Sequence, residues 1–291
     1  MNKKIKISVG MSAYNEQDCI KEVLLSVLSQ KQDGFILEKI IVVSDGSDDK
    51  TDELVKSIKD HKVQLIADGK RRGKAQRMNE IFEISKSDIL VILDTDIEIK
   101  SLSVLRDLID PIVNQNADLT SGKLTPIRPK SFVQKAVYMG TKLWDEARKM
   151  NKNKGMYYCG GAIRAFSKRL YKEMRFPKIK AEDIYPYLYC KSKGYKFVYA
   201  EKAEIFYPLP SRLDAYIKQM NRYLASPIEQ KTVYDNKLVS DEFSIGPKIK
   251  LYVLFKEFVK NPFWVSAYLA ILVIPKTQVL LKSYTNENSY R

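Results

Sequence analysis

Asp94 and Asp96 end the apolar run Ile89–Leu93 in the sequence Asp-Thr-Asp. If the extended segment continued through them, side-chain alternation would turn both carboxylates to one side. Acids so placed can pair with surface cations. They can also hold a hard divalent cation, Mg2+ or Mn2+, which takes one or two protein carboxylates and completes its shell with phosphate oxygens and water. A metal bound that way neutralises a diphosphate and helps it leave. The chain has one histidine, His61, in a polar stretch, and three cysteines, Cys19, Cys159 and Cys190, none at metal-ligand spacing. Ser-His-Asp chemistry and histidine-rich metal sites are therefore not expected, and any metal would be held by oxygen. The odd cysteine count predicts no disulfide framework and a reducing compartment.

Asp94 and Asp96 do not stand alone. Ser12–Glu16 follows the apolar run Ile5–Met11, Ser44–Asp49 follows Lys39–Val43, and Asp68–Lys74 follows Val63–Ala67. Between these runs, helical spacing appears over Asp18–Gln30, Thr51–Lys59, Gly73–Ser85 and Ser101–Gln115. Short apolar strands alternating with helices predict a parallel sheet covered on both faces. Ligands of such sheets bind at the carboxyl ends of the strands. Four consecutive strand ends would carry acids, cations and glycines on one edge, which fits a nucleotide or sugar-phosphate site.

The middle of the chain is less regular. Phe132–Lys152 reads as a helix, and Gly160-Gly161 breaks the chain before the apolar Ala162–Phe166. Ala181–Cys190 reads as a helix with Glu182 and Asp183 in its first turn, where acids suit the dipole. Lys196–Ala200 and Ala203–Phe206 read as two strands, and Ser211–Leu224 as a helix.

The 291 residues suffice for a substantial core. Fifty basic against 35 acidic residues give a net charge of +15. Such a balance predicts anionic partners, or a lysine-rich solvated surface. No aromatic-interleaved basic stripe is present, so nucleic acid is not expected. The N-terminal apolar part is too short for a signal peptide, and no apolar stretch reaches the roughly 20 residues of a spanning helix. Near residue 230 the character changes. Leu251, Leu254, Phe255 and Phe258 share a helical face with Lys248, Lys250, Lys256 and Lys260 nearby, and Phe263–Ile274 is an aromatic-led apolar segment before Pro275. The pattern suits an anionic membrane interface, a cap on the core, or a dimer contact.

In order along the first 225 or so residues stand SAYNE (Ser12–Glu16), VVSDGSDDKT (Val42–Thr51), RRGKAQRMN (Arg71–Asn79), DTD (Asp94–Asp96), AED (Ala181–Asp183) and QMNRY (Gln219–Tyr223). This series resembles the inverting family-two glycosyltransferases with the GT-A fold. The resemblance implies an α/β fold, a mostly parallel Rossmann-like sheet with helices on both faces, here followed by a helical C-terminal tail. It implies that Tyr14 and Asp45 bind the base of a nucleotide-sugar, usually uridine, with Glu16 in the same donor loop and Lys74 and Asn79 near the nucleotide. Arg71 and Arg72 are suited to a diphosphate or form a flexible surface loop. Asp94 would face the ribose, Asp96 would hold the metal, and Asp183, beside Glu182 on the acceptor side, would be the base. Gln219 and Arg222 would touch the diphosphate. Tyr223 stands where the family's acceptor-stacking Trp is found. Cys159, Gly160 and Gly161 resemble the acceptor loop.

The expected organisation is a glycosyltransferase domain over 1–230, with a nucleotide-sugar half (1–125) and an acceptor half (126–230), then a helical tail (231–291). The expected activity is metal-dependent, inverting transfer from a nucleotide-diphosphate sugar, UDP-linked by resemblance, to a glycan or lipid-linked acceptor, by a protein peripheral at the cytoplasmic face of the membrane. One catalytic carboxylate on the acceptor side implies direct displacement; retention would need a second, nucleophilic one. The alternatives are a non-catalytic carbohydrate- or nucleic-acid-binding relative, and a sugar-phosphate nucleotidyltransferase, whose GxGxRxxP loop Gly10–Glu16 does not match.

Overall fold

The computed structural model describes residues 4–151 and 155–288, the side chains of 280–288 excepted. The first three residues, Lys152 of the expected long helix and the last three residues of the tail lie outside the described residues. The chain divides into two compact units, Met1–Thr125 with Gly155–Tyr207, and Pro126–Lys154 with Pro208–Arg291.

The first unit is built on a seven-stranded sheet. Its strands are β1 (Ile5–Ala13), β2 (Phe35–Ser44), β3 (Val63–Ala67), β4 (Ile89–Leu93), β5 (Leu119–Pro126), β6 (Ile163–Ser167) and β7 (Phe197–Tyr207). The spatial order is β3-β2-β1-β4-β6-β5-β7. The pairs β1–β2, β2–β3 and β1–β4 are parallel, whereas β6 runs antiparallel to β4 and to β5. Helices α1 (Ile20–Leu28), α2 (Thr51–Ser57), α3 (Lys74–Ile84) and α4 (Val104–Gln115) connect the first strands.

Alternation along β1 shows how both faces are covered. Val9 and Met11 join the core cluster with Ile20, Leu24, Leu105 and Leu108 of α1 and α4. Gly10 faces the other way, where a Cβ would come within 2.4 Å of Ile81 of α3. The lack of a side chain there lets α3 lie close against the sheet. All five residues of β4 are buried, the signature of a strand covered on both sides. Strand order reverses between β1 and β4, the place where ligands of such sheets bind.

Several expectations need correcting. β4 ends at Leu93 and the chain bends through Thr95-Asp96, so strand alternation does not govern the two acids. β5 was not expected. The two strands expected over Lys196–Ala200 and Ala203–Phe206 are one strand, β7 (Phe197–Tyr207). Glu182 and Asp183 precede the next helix instead of lying in its first turn. After α5 (Phe132–Met150) and α6 (Lys168–Glu173) comes α7 (Tyr185–Lys193), whose Pro186 sits in the opening turn. Proline is favoured there because its missing N–H has no helical partner to lose.

The second unit gathers α5 with α8 (Leu213–Gln230), α9 (Asn236–Glu242), α10 (Pro247–Lys260) and α11 (Pro262–Asn288). α5 opens with a capping box between Ser131 and Gln134, worth about 1 kcal/mol. Its Gly140 admits Tyr268 of α11, which would lie 2.2 Å from a Cβ. α10 docks on α5 through ion pairs Lys142–Glu257 (2.7 Å) and Lys256–Glu146 (2.8 Å). α11 continues through Pro275. Among the described residues no helix is long and apolar enough to cross a membrane.

Candidate active site

The loops after β1 and β2 are laced together. Asn15 has a left-handed backbone (φ 55°), which asparagine tolerates better than most residues. Its Nδ2 donates to Asp48 Oδ1 (2.6 Å), and Asp48 N donates to Asn15 Oδ1 (3.1 Å). Glu16 N donates to Thr51 Oγ1 (2.7 Å), and Asp45 N to Ala13 O (2.7 Å). Tyr14, Glu16 and Asp45 are thereby fixed at one end of the sheet.

Asp45 is 2 % exposed. Its carboxylate accepts from Arg72 N (2.7 Å), Gly73 N (3.0 Å) and Arg77 Nε (3.1 Å). Arg77, 1 % exposed, also donates to Asp68 Oδ1 (2.7 Å), Glu80 Oε2 (2.9 Å) and the Lys70 carbonyl. A buried guanidinium needs such partners, because an unpaired buried charge costs several kcal/mol. Arg72 pairs with Asp68 and Glu80. The loop 68–73 is therefore tied down over Asp45. From it Arg71 reaches Tyr14, its guanidinium carbon 3.1 Å from the ring centroid. The aromatic face expected to receive a base carries the chain's own arginine. Sequence reasoning gave Arg77 no role; one arginine inside an otherwise amphipathic helix was the available signal.

The acids converge on Lys74, the first residue of α3. Its Nζ lies 2.7 Å from Asp94 Oδ1, 3.4 Å from Glu182 Oε1 and 3.9 Å from Asp183 Oδ1. Burial alone would lower its pKa, but Asp94, Asp183 and Glu182 together raise it. At about 4 Å and an effective dielectric near 20, each contact is worth about 4 kcal/mol before desolvation. Glu16 stands beside the same cluster. Desolvation in the cleft, then the charge of Asp96, raises its carboxyl, against a hydrogen bond from Cys19 Sγ (3.0 Å). Asp96 is open to solvent, yet its pKa is raised too, first by desolvation and then by Asp94. Acids that resist ionising side by side are a donor set suited to a divalent cation. Among the described residues no three side chains form a preassembled metal cluster.

Asp94 N donates to Ala162 O (3.0 Å), joining the end of β4 to the start of β6. Just before it, Gly161 leaves room for Asp183: a Cβ there would lie 1.9 Å from Asp183 Oδ1. Gly160 has a packing role, since its Cβ would meet Leu124 at 2.4 Å. Cys159 is buried, and burial pushes its thiol up to about 12, which makes it unreactive. Cys19, Cys159 and Cys190 are all free thiols. Asn79 spends both ends of its amide on Phe176, Nδ2 to O at 2.9 Å and Oδ1 from N at 2.8 Å, stapling α3 to the segment after α6. Gln219, Arg222 and Tyr223 lie on α8 of the second unit, Arg222 and Tyr223 exposed. The structure thus brings together Tyr14 with Arg71 and Asp45, and Lys74 with Asp94, Glu182 and Asp183.

Residues 8–175 match the profile of Glycosyl transferase family 2. Poly-beta-1,6-N-acetyl-D-glucosamine synthase of Staphylococcus aureus (strain MSSA476) is 33 % identical over 105 residues, 33 % of this chain and 25 % of that protein. The synthase of the same name from Staphylococcus epidermidis is 24 % identical over 279 residues, 92 % of this chain and 65 % of that protein. The chain thus spans between a quarter and two thirds of these curated relatives. Among solved structures, the mannosyltransferase PcManGT from Pyrobaculum calidifontis, in complex with GDP-Man and Mn2+, superposes with a TM-score of 0.60 at 17 % identity, covering 100 % of this chain and 82 % of that one. Glucosyl-3-phosphoglycerate synthase from Mycobacterium tuberculosis, with Mn2+ and UDP-glucose, gives 0.58 at 16 % identity, covering 79 % and 80 %. At such identities the likeness shows the fold, and it is GT-A.

Proposed function

The chain belongs to glycosyl transferase family 2, and on that premise we propose that it transfers a sugar, with inversion, from a nucleotide-diphosphate sugar to a membrane-presented glycan or lipid-linked acceptor. The observation that carries this is Lys74, whose ammonium links Asp94 on the donor strand to Glu182 and Asp183.

Tyr14 and Asp45 receive the base, uracil by the family resemblance, with Glu16 in the same loop. Asp94 faces the ribose and Asp96 holds the metal. Mg2+ or Mn2+ supplies charge neutralisation at the diphosphate, as the Mn2+ in the complexes of two fold relatives supports. Lys74 gives the diphosphate a charge-assisted contact. Asp183 takes the proton of the acceptor hydroxyl as its oxygen attacks the anomeric carbon. The bond from that carbon to the diphosphate oxygen breaks, the nucleoside diphosphate leaves, and the configuration inverts. Gln219 and Arg222 are assigned to the diphosphate, and Cys159, Gly160, Glu182 and Tyr223 to the acceptor side. The names of the curated relatives support a glycan acceptor.

The membrane part of the proposal rests on α10. Its inward face carries Val253 and the ion-paired Glu257, while Leu251, Tyr252, Phe255, Phe258 and Val259 are 44–70 % exposed at helical spacing. An outward apolar stripe with exposed Lys248, Lys250 and Lys260 beside it suits an anionic lipid surface and supports a peripheral position at the cytoplasmic face of the membrane.

Incubation with Mn2+ and a panel of nucleotide-sugars, following nucleotide release, tests the activity. One donor should be consumed in the presence of a glycan or lipid-linked acceptor. Neither release nor binding with any donor would end the transferase proposal.

A further inference from the structure

Arg164 is the most anomalous charge in the first unit. It lies on β6, in register with Ile92 of β4 and Ser121 of β5, and is 0 % exposed. Its Nη1 donates to the main-chain oxygen of Asp183 at 3.0 Å. Its Nε and Nη2 have no hydrogen-bond partner among the described residues. Ser121, its cross-strand neighbour, spends its hydroxyl on Gly160 O and Ile163 O. A guanidinium buried with two unspent donors costs several kcal/mol. Packing alone does not account for it, since a methionine would fill comparable volume without the charge.

Its place in the fold supplies a reason. Gly161 makes room for the Asp183 carboxylate, Ala162 O holds the Asp94 amide, and Arg164 holds the Asp183 carbonyl. Within the four residues 161–164, three thus make contacts, one to Asp94 at the end of β4 and two to the acid assigned as base. Asp183 sits in a turn ahead of α7, where helical hydrogen bonds have not begun. A fixed external donor is one way to hold such a carbonyl. The charge matters as well. Lys74 is the solvent-reachable cation of the acid cluster and is the one a diphosphate would draw away. Arg164 stays beneath the turn whatever Lys74 does.

We propose that Arg164 is the positioning residue for Asp183: a buried cation on β6 that fixes the 181–184 turn so that the carboxylate meets the acceptor hydroxyl. The inference rests on the assignment of Asp183 as base. Displacing a reacting group by about 1 Å can cost 10²-fold in rate. Arg164→Met should therefore lower kcat by about 10²-fold while the nucleotide Kd, measured calorimetrically with Mn2+, stays within about twofold. Arg164→Lys, which restores a cation without the fork, should recover a substantial part of kcat. The double variant Arg164→Met/Asp183→Asn should be no slower than Asp183→Asn alone, since two residues acting as a unit do not add. Wild-type kcat in Arg164→Met, parallel loss of kcat and nucleotide binding without recovery in Arg164→Lys, or a double variant slower by the full factor would each overturn it. If Arg164→Met does not fold, Arg164→Lys decides: reduced kcat at unchanged Kd upholds the proposal, and unchanged kcat or parallel losses reject it. Full transfer by Asp183→Asn would instead remove the base assignment itself.

Discussion

A Cβ on Gly161 would lie 1.9 Å from Asp183 Oδ1, so the carboxylate occupies space that only a glycine leaves open. The relation ties the strand-leading turn before β6 to the acid assigned as base. Gly161→Ala should push the carboxylate off its position and lower transfer by about 10²-fold. Nucleotide affinity should stay near wild type, because the donor-side residues are untouched. Steady-state kinetics beside calorimetric titration with UDP and Mn2+ checks this. Wild-type kcat in the variant would show that the position of Asp183 is not critical.

Lys74 bridges the acids, and its ammonium is the cation proposed to meet a diphosphate. A charge-assisted hydrogen bond contributes about 1.5–3 kcal/mol, so Lys74→Met should weaken UDP binding by roughly 10- to 100-fold. Binding of uridine, which lacks the diphosphate, should be unchanged. Equal losses for both ligands would mean that the lysine holds the fold of the site instead.

Arg71 covers the ring of Tyr14, at 3.1 Å from its centroid. If a base takes that face, the arginine must leave it, and a cation–π contact of about 0.5–1 kcal/mol is lost. Arg71→Ala should therefore tighten UDP binding by a few-fold, read by the same titration. Weaker binding would show that Arg71 contributes a contact of its own to the nucleotide.

The stripe on α10 should be separable from catalysis. Leu251→Ser, Phe255→Ser and Phe258→Ser combined should abolish flotation with anionic vesicles and leave nucleotide affinity unchanged, since the inward Val253 and Glu257 remain. Vesicles of zwitterionic lipid should recruit the wild-type chain less well, because the exposed lysines lose their counter-charges. Undiminished flotation of the triple variant would reject the stripe as the lipid contact.

The parallel half of the sheet was legible in sequence because its strands are continuous apolar runs: Val63–Ala67 and Ile89–Leu93 were bounded to the residue. β5 was not, because its buried Thr120 and Ser121 satisfy their hydroxyls on main-chain oxygens, so the strand reads as polar. The start of α7 slipped because the acids at 182 and 183 resemble a first turn; Pro186 was the better marker. Periodicity found the apolar face of α10 but cannot say whether such a face points inward. That the face points outward follows from the ion pairs with α5, which lie far apart in sequence. The motif residues of the site were legible as motifs. Gly161 was legible as part of a glycine loop, but the supporting roles of Arg77 and Arg164 were not, because they depend on partners that only the fold brings near.

The central claim is that Asp183 takes the acceptor proton while other residues bind the donor. Asp183→Asn keeps the side chain's size and removes its basicity. Measured with the cognate donor, acceptor and Mn2+, it should lower transfer by about 10²–10⁴-fold and leave the nucleotide Kd within about twofold. Retained transfer, or loss of nucleotide binding in step with transfer, would contradict the account.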